Sequence, residues 1–185
     1  MKNIFYFLLP LLISFVGRTQ DFTVKNYTVD VTLHQDGYFD VVEKYDINFE
    51  IPKHGIYRTI QTAYDLVDST GAKSTRKIRI KNLEVPDHNF DVPFDFVQKL
   101  QDKMDIKIGD KDITVVGPQH YEISYRVHNA LLFENSQVRF YWNIKPEDWQ
   151  ADFHQVNFKV RVPDNVTLNP ENSFVYSGDR GTNTL

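Results

Sequence analysis

Residues 29–49 read VDVTLHQDGYFDVVEKYDINF. Val29, Val31 and Leu33 alternate with polar Asp30 and Thr32, His34-Gln35-Asp36-Gly37 supplies a turn, and Phe39 and Val41 resume the alternation. After a switch of face expected near Val42-Glu43, Tyr45, Ile47 and Phe49 continue it. A period of two places one face on a core and the other in solvent, which is the pattern of a strand. Asp-Gly between two such runs is a strong short-range hairpin signal.

The same period extends along the chain. Ile78-Arg79-Ile80 opens a strand that ends near Val85-Pro86, and Met104, Ile106 and Ile108 run into Gly109-Asp110-Lys111-Asp112 before Ile113 and Val115, which reads as a second hairpin. Tyr121, Ile123, Tyr125 and Val127 form a further alternating set; so do Val138, Phe140, Trp142 and Ile144, and then Phe158, Val160 and Val162 before Pro163. Seven or eight strands with one apolar face each predict an all-β, antiparallel two-sheet β-sandwich. Phe94, Val97, Leu100 and Met104 are spaced like a helical face, with Pro93 suited to a first turn, so the pattern admits one short helix near 93–103. The polar stretch Asp65–Lys77 reads as an exposed loop, and no linker composition divides the chain.

The first 20 residues, MKNIFYFLLPLLISFVGRTQ, stand apart. Lys2 precedes a 13-residue apolar run from Ile4 to Val16, then small residues at Gly17 and Thr19. This is the order of a secretory signal peptide, and the run is shorter than the roughly 20 residues that span a bilayer. The expected division is a signal peptide over 1–20 and a single extracytoplasmic sandwich domain over 21–185. Beyond the signal, 19 basic residues stand against 25 acidic ones, a net charge of −6, so a basic nucleic-acid footprint is missing. The chain has no cysteine, which removes disulfide scaffolds, thiol catalysis and cysteine-bound zinc. Export without disulfides suits a bacterial envelope: the periplasm or the outer face of the cytoplasmic membrane.

The chemistry-bearing residues form no strong motif. Six histidines, at 34, 54, 88, 120, 128 and 154, lack the i, i+4 spacing that brings two imidazoles to one zinc, so no metal is expected. Ser124 sits between Ile123 and Tyr125 without a nucleophile elbow, and no glycine-rich loop precedes a helix, so no cofactor is called for. Glu43, Glu122, Glu147 and Asp148 could pair in space as the carboxylates of a glycosidase do. No residue is singled out as catalytic.

Two runs are candidates for binding. His54-Gly55-Ile56-Tyr57-Arg58 presents an imidazole, a phenol and a guanidinium at a strand end. One reading makes it a recognition corner for an anionic group, using the planar fork of Arg58. The other, which is preferred, has Arg58 and His54 paired with acidic neighbours to close one end of the sandwich while Ile56, Tyr57 and Ile60 pack inward. In Phe140-Tyr141-Trp142-Asn143-Ile144, alternate rings must face the core, which assigns Trp142 inward. Tyr141, and Trp149 in the following turn, remain as candidate binding rings.

These residues together resemble the extracytoplasmic N-terminal domain of the YciQ-like bacterial predicted membrane proteins, a family of unknown function. The resemblance rests on the strand pair around Asp36-Gly37 with Glu43 after it, His54-Gly55-Ile56-Tyr57-Arg58, Ile108-Gly109-Asp110, Tyr121-x-x-x-Tyr125, Tyr141-Trp142-Asn143 and Trp149, over about residues 22–165. The chain departs from the family pattern at Thr59 and Gln61, where Asp and Pro are usual, and at Pro146, where glycine is usual. The resemblance implies an exported β-sandwich ahead of transmembrane helices, with membrane attachment through segments absent from this chain, and no catalytic residue to transfer.

The expectation is therefore a non-catalytic extracytoplasmic binding domain with an envelope protein or glycan partner. A carbohydrate-binding module using Tyr141, Trp149 and the residues near Arg58 is the alternative, and a glycosidase-like enzyme using Glu43 or Glu147 the third. Oligomeric state is not legible.

Overall fold

The computed structural model describes residues 20–176, apart from 68–69, 95–96, 98–99, 135–136 and 147–148. The expected signal peptide over residues 1–20 therefore lies, except for Gln20, outside the described residues, as do Glu147, Asp148 and the tail from residue 177.

The chain is all-β. Strands β1 (Phe22–Leu33) and β2 (Tyr38–Lys53) form the expected hairpin, with Gly37 at φ 82° in the turn, a backbone region glycine enters without a Cβ penalty. The remaining strands are β3 (Gly55–Gln61), β4 (Ala63–Val67), β5 (Lys73–Lys77), β6 (Arg79–Glu84), β7 (Phe90–Asp91), β8 (Lys103–Gly109), β9 (Val115–His128), β10 (Leu132–Glu134), β11 (Gln137–Arg139) and β12 (Val156–Arg161). A five-stranded sheet has the order β12-β1-β2-β9-β6, and a three-stranded sheet the order β3-β8-β7. Two small hairpins, β4-β5 and β10-β11, complete the described strands.

The core lies between the two larger sheets. Val29 and Val31 from β1, the odd positions Phe39 to Phe49 of β2, and Tyr121, Ile123, Tyr125 and Val127 of β9 are buried with Ile56 and Ile60 of β3 and Met104, Ile106 and Ile108 of β8. The switch of face expected near Val42-Glu43 does not occur. Glu43 sits on the inward face between Val41 and Tyr45 and is fully buried, and Val42 points the other way.

Other expectations are corrected by the pairing. The run through Gly109 does not turn back as a β8-β9 hairpin; β8 pairs with β3, and β9 belongs to the other sheet. Gly55 and Gly109 sit opposite each other with φ of 129° and 132°, and a Cβ at either would lie about 2 Å from a carbonyl oxygen of the facing strand. The crossing from β8 to β9 is held by His54 Nδ1, 3.1 Å from the Asp110 carbonyl and 3.0 Å from that of Ile113. The polar stretch 65–77 is not simply a loop, because β4 and β5 pair from Ala63↔Lys77 to Val67↔Lys73. Val97 and Leu100 have helical backbone, but Phe94 and Leu100 are exposed and Met104 is buried on β8, so the helical spacing there does not describe one packed face.

The alternating run 138–144 is strand only to Arg139; Phe140 and Trp142 instead pack edge-on against Phe39, with centroids 5.2 and 5.1 Å away. The chain then returns along the sandwich, with Tyr27 Oη donating to the Ile144 carbonyl at 2.7 Å and Val24 N–H to that of Asp152 at 2.9 Å. That return delivers β12 parallel to β1, from Tyr27↔Val156 to Thr32↔Arg161; the other sheet pairings are antiparallel. Parallel neighbours require such a crossover.

Candidate functional site

Two strands carry a charged residue at the centre of an inward apolar set: Glu43 in Val41-x-Glu43-x-Tyr45 and Arg58 in Ile56-x-Arg58-x-Ile60. They belong to opposite sheets and meet in the core. Arg58 Nε donates to Glu43 Oε2 and Nη2 to Oε1, each at 2.7 Å. Tyr45 Oη also donates to Oε2, and Tyr125 Oη to Oε1 at 2.6 Å. Each carboxylate oxygen thus receives two donors. Arg58 Nη1 donates to the Thr59 carbonyl. Tyr27 stacks on Tyr45 with centroids 4.4 Å apart.

The electrostatics follow from this saturation. Burial pushes the Glu43 carboxyl up, but the Arg58 guanidinium and the hydrogen bonds from Arg58, Tyr125 and Tyr45 outweigh it and hold the group below the ordinary glutamate range. Burial alone would lower Arg58, and the Glu43 carboxylate reverses this and raises it. The Tyr45 and Tyr125 phenols are pushed well up, by burial first and by the Glu43 charge second.

The residues expected to bind do not form one site. Arg58 is 4% exposed and turned into the core, so it presents no open guanidinium corner, and its acidic partner lies at the centre of the inter-sheet space instead of at one end. Tyr57 is outward and exposed, not inward. His54 is at the exposed β8-β9 crossing. Tyr141 is exposed, with its Oη donating to Asn143 Oδ1 at 2.9 Å. Trp149 is half-buried: its Nε1 donates to the Tyr57 carbonyl at 2.7 Å, and its ring packs on Phe22, Tyr45 and Phe153 with centroids 5.3, 5.0 and 5.8 Å away. Trp149 thus caps the open edge of the core, and Trp142 covers the core beside it.

Of the carboxylates weighed as a glycosidase pair, the two described ones, Glu43 and Glu122, lie on opposite faces of the sheet. Glu43 faces inward, whereas Glu122 faces outward and pairs with Lys44 at 2.8 Å; Glu147 and Asp148 lie outside the described residues. No group of three metal-ligating side chains occurs among the described residues. A small pocket of about 30 Å³ lies at the rim of Arg58, lined also by Gln61, Tyr64 and Trp142. Beside it is an open depression of about 540 Å³, lined by residues that include Asp65, Thr75, Lys77 and Asp102. No described helix is long and apolar enough to cross a membrane.

With this geometry in hand, comparison with known proteins places the chain. It is 27% identical over 161 residues to "Uncharacterized protein YciQ" of Escherichia coli (strain K12), covering 84% of this chain and 24% of that protein, so the chain spans about a quarter of its relative's length. Similar solved structures include leukotriene A4 hydrolase of Saccharomyces cerevisiae, with a TM-score of 0.35 and 10% identity over 57% of this chain and 15% of that one. An M1 zinc metallopeptidase of Deinococcus radiodurans gives a TM-score of 0.35 and 9% identity over 77% and 32%. Likenesses this distant have no bearing on activity. The family model described as "Predicted membrane protein (DUF2207) N-terminal domain" matches residues 23–184, and the chain belongs to that family.

Proposed function

We propose that this domain is a non-catalytic binding or interaction module on the extracytoplasmic side of a bacterial cytoplasmic membrane, attached through membrane segments of a longer protein. The observation that supports the non-catalytic reading is the state of Glu43 and Arg58, which spend their hydrogen-bonding capacity on each other, on two phenols and on a backbone carbonyl. A general acid or base works with a pKa near the operating pH, and Glu43 is shifted the other way. The pocket at the rim of Arg58, about 30 Å³, holds roughly a water molecule, whereas the open depression of about 540 Å³ beside it falls within the roughly 300–1,000 Å³ of ordinary substrate sites. In the larger depression, Asp65 accepts from Thr75 and Asp102 pairs with Lys77.

The apolar run from Ile4 to Val16 behind Lys2 supports the exported location. A reporter phosphatase that folds only outside the cytoplasm, fused after Leu185, is expected to be active; an inactive fusion overturns the location. Photo-reactive residues at exposed Tyr57 and Tyr141 in the full-length protein are expected to yield a discrete envelope adduct. Absence of an adduct at both positions, and at other exposed positions, overturns the interaction role.

A further inference from the structure

One end of the sandwich differs in chemistry from the rest of this acidic chain. Residues 73–81 read KSTRKIRIK, five cations without a carboxylate in a chain of net charge −4. The pairing brings them to the end marked by the 34–37 turn, because His128 lies opposite both Tyr38 and Arg79 in the sheet. Arg76 fastens β5 there by donating to the carbonyls of Asn129 at 2.6 Å and Leu131 at 2.8 Å, and Asn129 Nδ2 donates to the Lys77 carbonyl at 2.7 Å. The side chains of Lys73, Arg79 and Lys81 are exposed. The positive potential is felt by His128, whose pKa is lowered by burial first and then by Lys81, Arg126 and Arg79.

The same end carries apolar side chains in solvent. Phe133 and Val138 stand opposite each other on the β10-β11 hairpin and are 64% and 54% exposed. Phe133 sits over the 34–37 turn, its ring 3.2 Å from where a Cβ on Gly37 would be. Val67, exposed, stands at the turn end of the β4-β5 hairpin. The acids of this end are Asp36 in the turn, Asp40, Asp65, Asp102 and, by sequence, Asp68 between β4 and β5, Glu134 on β10 and Asp164 beside Asn165. Asp40 is held by Arg126 and His34, Asp65 accepts from Thr75 and Asp102 pairs with Lys77, whereas Lys73, Arg79 and Lys81 point into solvent. The chain also leaves the sandwich here. β12 ends opposite Thr32, and Gln35 Nε2 donates to Asn165 Oδ1 at 2.8 Å.

Exposed apolar side chains beside the exposed cations Lys73, Arg79 and Lys81 suit the boundary of an anionic bilayer, where apolar side chains enter the headgroup region and each nearby cation is attracted to the surface. We propose that this end of the sandwich, formed by the β4-β5 and β10-β11 hairpins beside the 34–37 turn, seats on anionic phospholipid headgroups, with the β8-β9 crossing pointing away. The family's description as the N-terminal domain of a predicted membrane protein supplies the bilayer, and the charge of residues 73–81 supplies the complementarity. This deepens the proposed function and rests on its membrane attachment; it assigns the end that faces the lipid.

The absence of native cysteine makes the test clean. Val138→Cys and, at the opposite end, Lys111→Cys are made singly in the full chain and labelled with a polarity-sensitive fluorophore. In phosphatidylglycerol–phosphatidylethanolamine vesicles carrying a nitroxide lipid, the label at 138 is expected to shift to the blue and be quenched several-fold more than that at 111. Phosphatidylcholine vesicles, or Lys73→Gln with Arg79→Gln and Lys81→Gln, are expected to reduce the seated population on the order of 100-fold, about fivefold for each cation. Equal quenching at the two positions, or quenching at 138 indifferent to both lipid charge and these substitutions, overturns the proposal. Either result leaves the envelope-adduct test of the interaction role intact, so the two readings fail separately.

Discussion

Glu43 on β2 and Arg58 on β3 meet across the sandwich as a two-point pair, Nε to Oε2 and Nη2 to Oε1, each at 2.7 Å, with neither side chain more than 4% exposed. Removing two charges from water is expensive, and the loss is offset only where geometry is good and every remaining lone pair is satisfied. Tyr45 and Tyr125 meet that condition here. Because the pair joins the two sheets, its geometry is met at one relative position of β2 and β3, so it pins their alignment as well as filling the core.

Stability should have two pH limits. The Glu43 carboxyl, despite burial, is held below its ordinary value of 4.5 by Arg58 and the hydrogen bonds it accepts, so its contribution is complete above that value and is lost as pH falls through the folded pKa. The Tyr45 and Tyr125 phenols, raised above 10.0 by burial and then by the Glu43 charge, contribute fully below that value and lose their contribution as pH rises beyond it. Urea midpoints are expected to be level between roughly pH 7 and pH 10 and to fall on both sides, with His128, held below its ordinary value of 6.5 by burial and the cations around it, adding to the acid side. Glu43→Gln should lower the plateau and flatten the acid limb. An acid limb equally steep in both proteins contradicts the assignment.

Tyr125→Phe removes the second donor to Glu43 Oε1 and leaves the ring in place. A hydrogen bond to a charged group is worth about 1.5–3 kcal/mol, and a loss of that size is expected in chemical denaturation. Tyr141→Phe, at an exposed position, should change stability by less than about 0.5 kcal/mol. Equal effects of the two substitutions would count against the buried network.

Gly55 and Gly109 let β3 and β8 approach at the start of their ladder. Gly109→Ala places a Cβ about 2 Å from the His54 carbonyl oxygen in a backbone region that side chains disfavour. The expected outcome is a loss of about 3 kcal/mol or more, or failure to fold, whereas Gly71→Ala, where nothing lies within 4 Å, should be far milder. Thermal unfolding of the two variants makes the comparison.

Trp149→Ala should destabilise by about 2–4 kcal/mol, because it removes a ring packed on three aromatic neighbours and a hydrogen bond to Tyr57. A Trp149→Ala protein as stable as the parent would return this ring to the class of free binding platforms.

The strands were legible because alternation reports directly which side chains face a core. It does not report the hydrogen-bond partner, which is why the run through Gly109 looked like a hairpin although β8 pairs with β3. For the same reason Phe140 and Trp142 read as strand although they pack on Phe39 without a ladder. The buried pair was partly hidden by Val42, whose apolar side chain beside Glu43 imitates a change of face. The odd positions from Phe39 to Phe49 nevertheless run without interruption. A carboxylate centred in one such set and a guanidinium centred in another, at Ile56-x-Arg58-x-Ile60, are a matched signal for an inter-sheet ion pair. The basic end was less visible, because residues 73–81 join the apolar β10-β11 hairpin only once the register of His128 with Tyr38 and Arg79 is fixed.

The role of the Glu43–Arg58 pair as the lock between the sheets is tested most directly by a double-mutant cycle of Glu43→Leu, Arg58→Met and both together, measured by urea unfolding. Each single substitution strands a buried charge and should lose about 3–5 kcal/mol, whereas the double, which leaves neither charge, should lie closer to the parent than either single. Losses that add, with the double variant less stable than the parent by the sum of the two single losses, would contradict it.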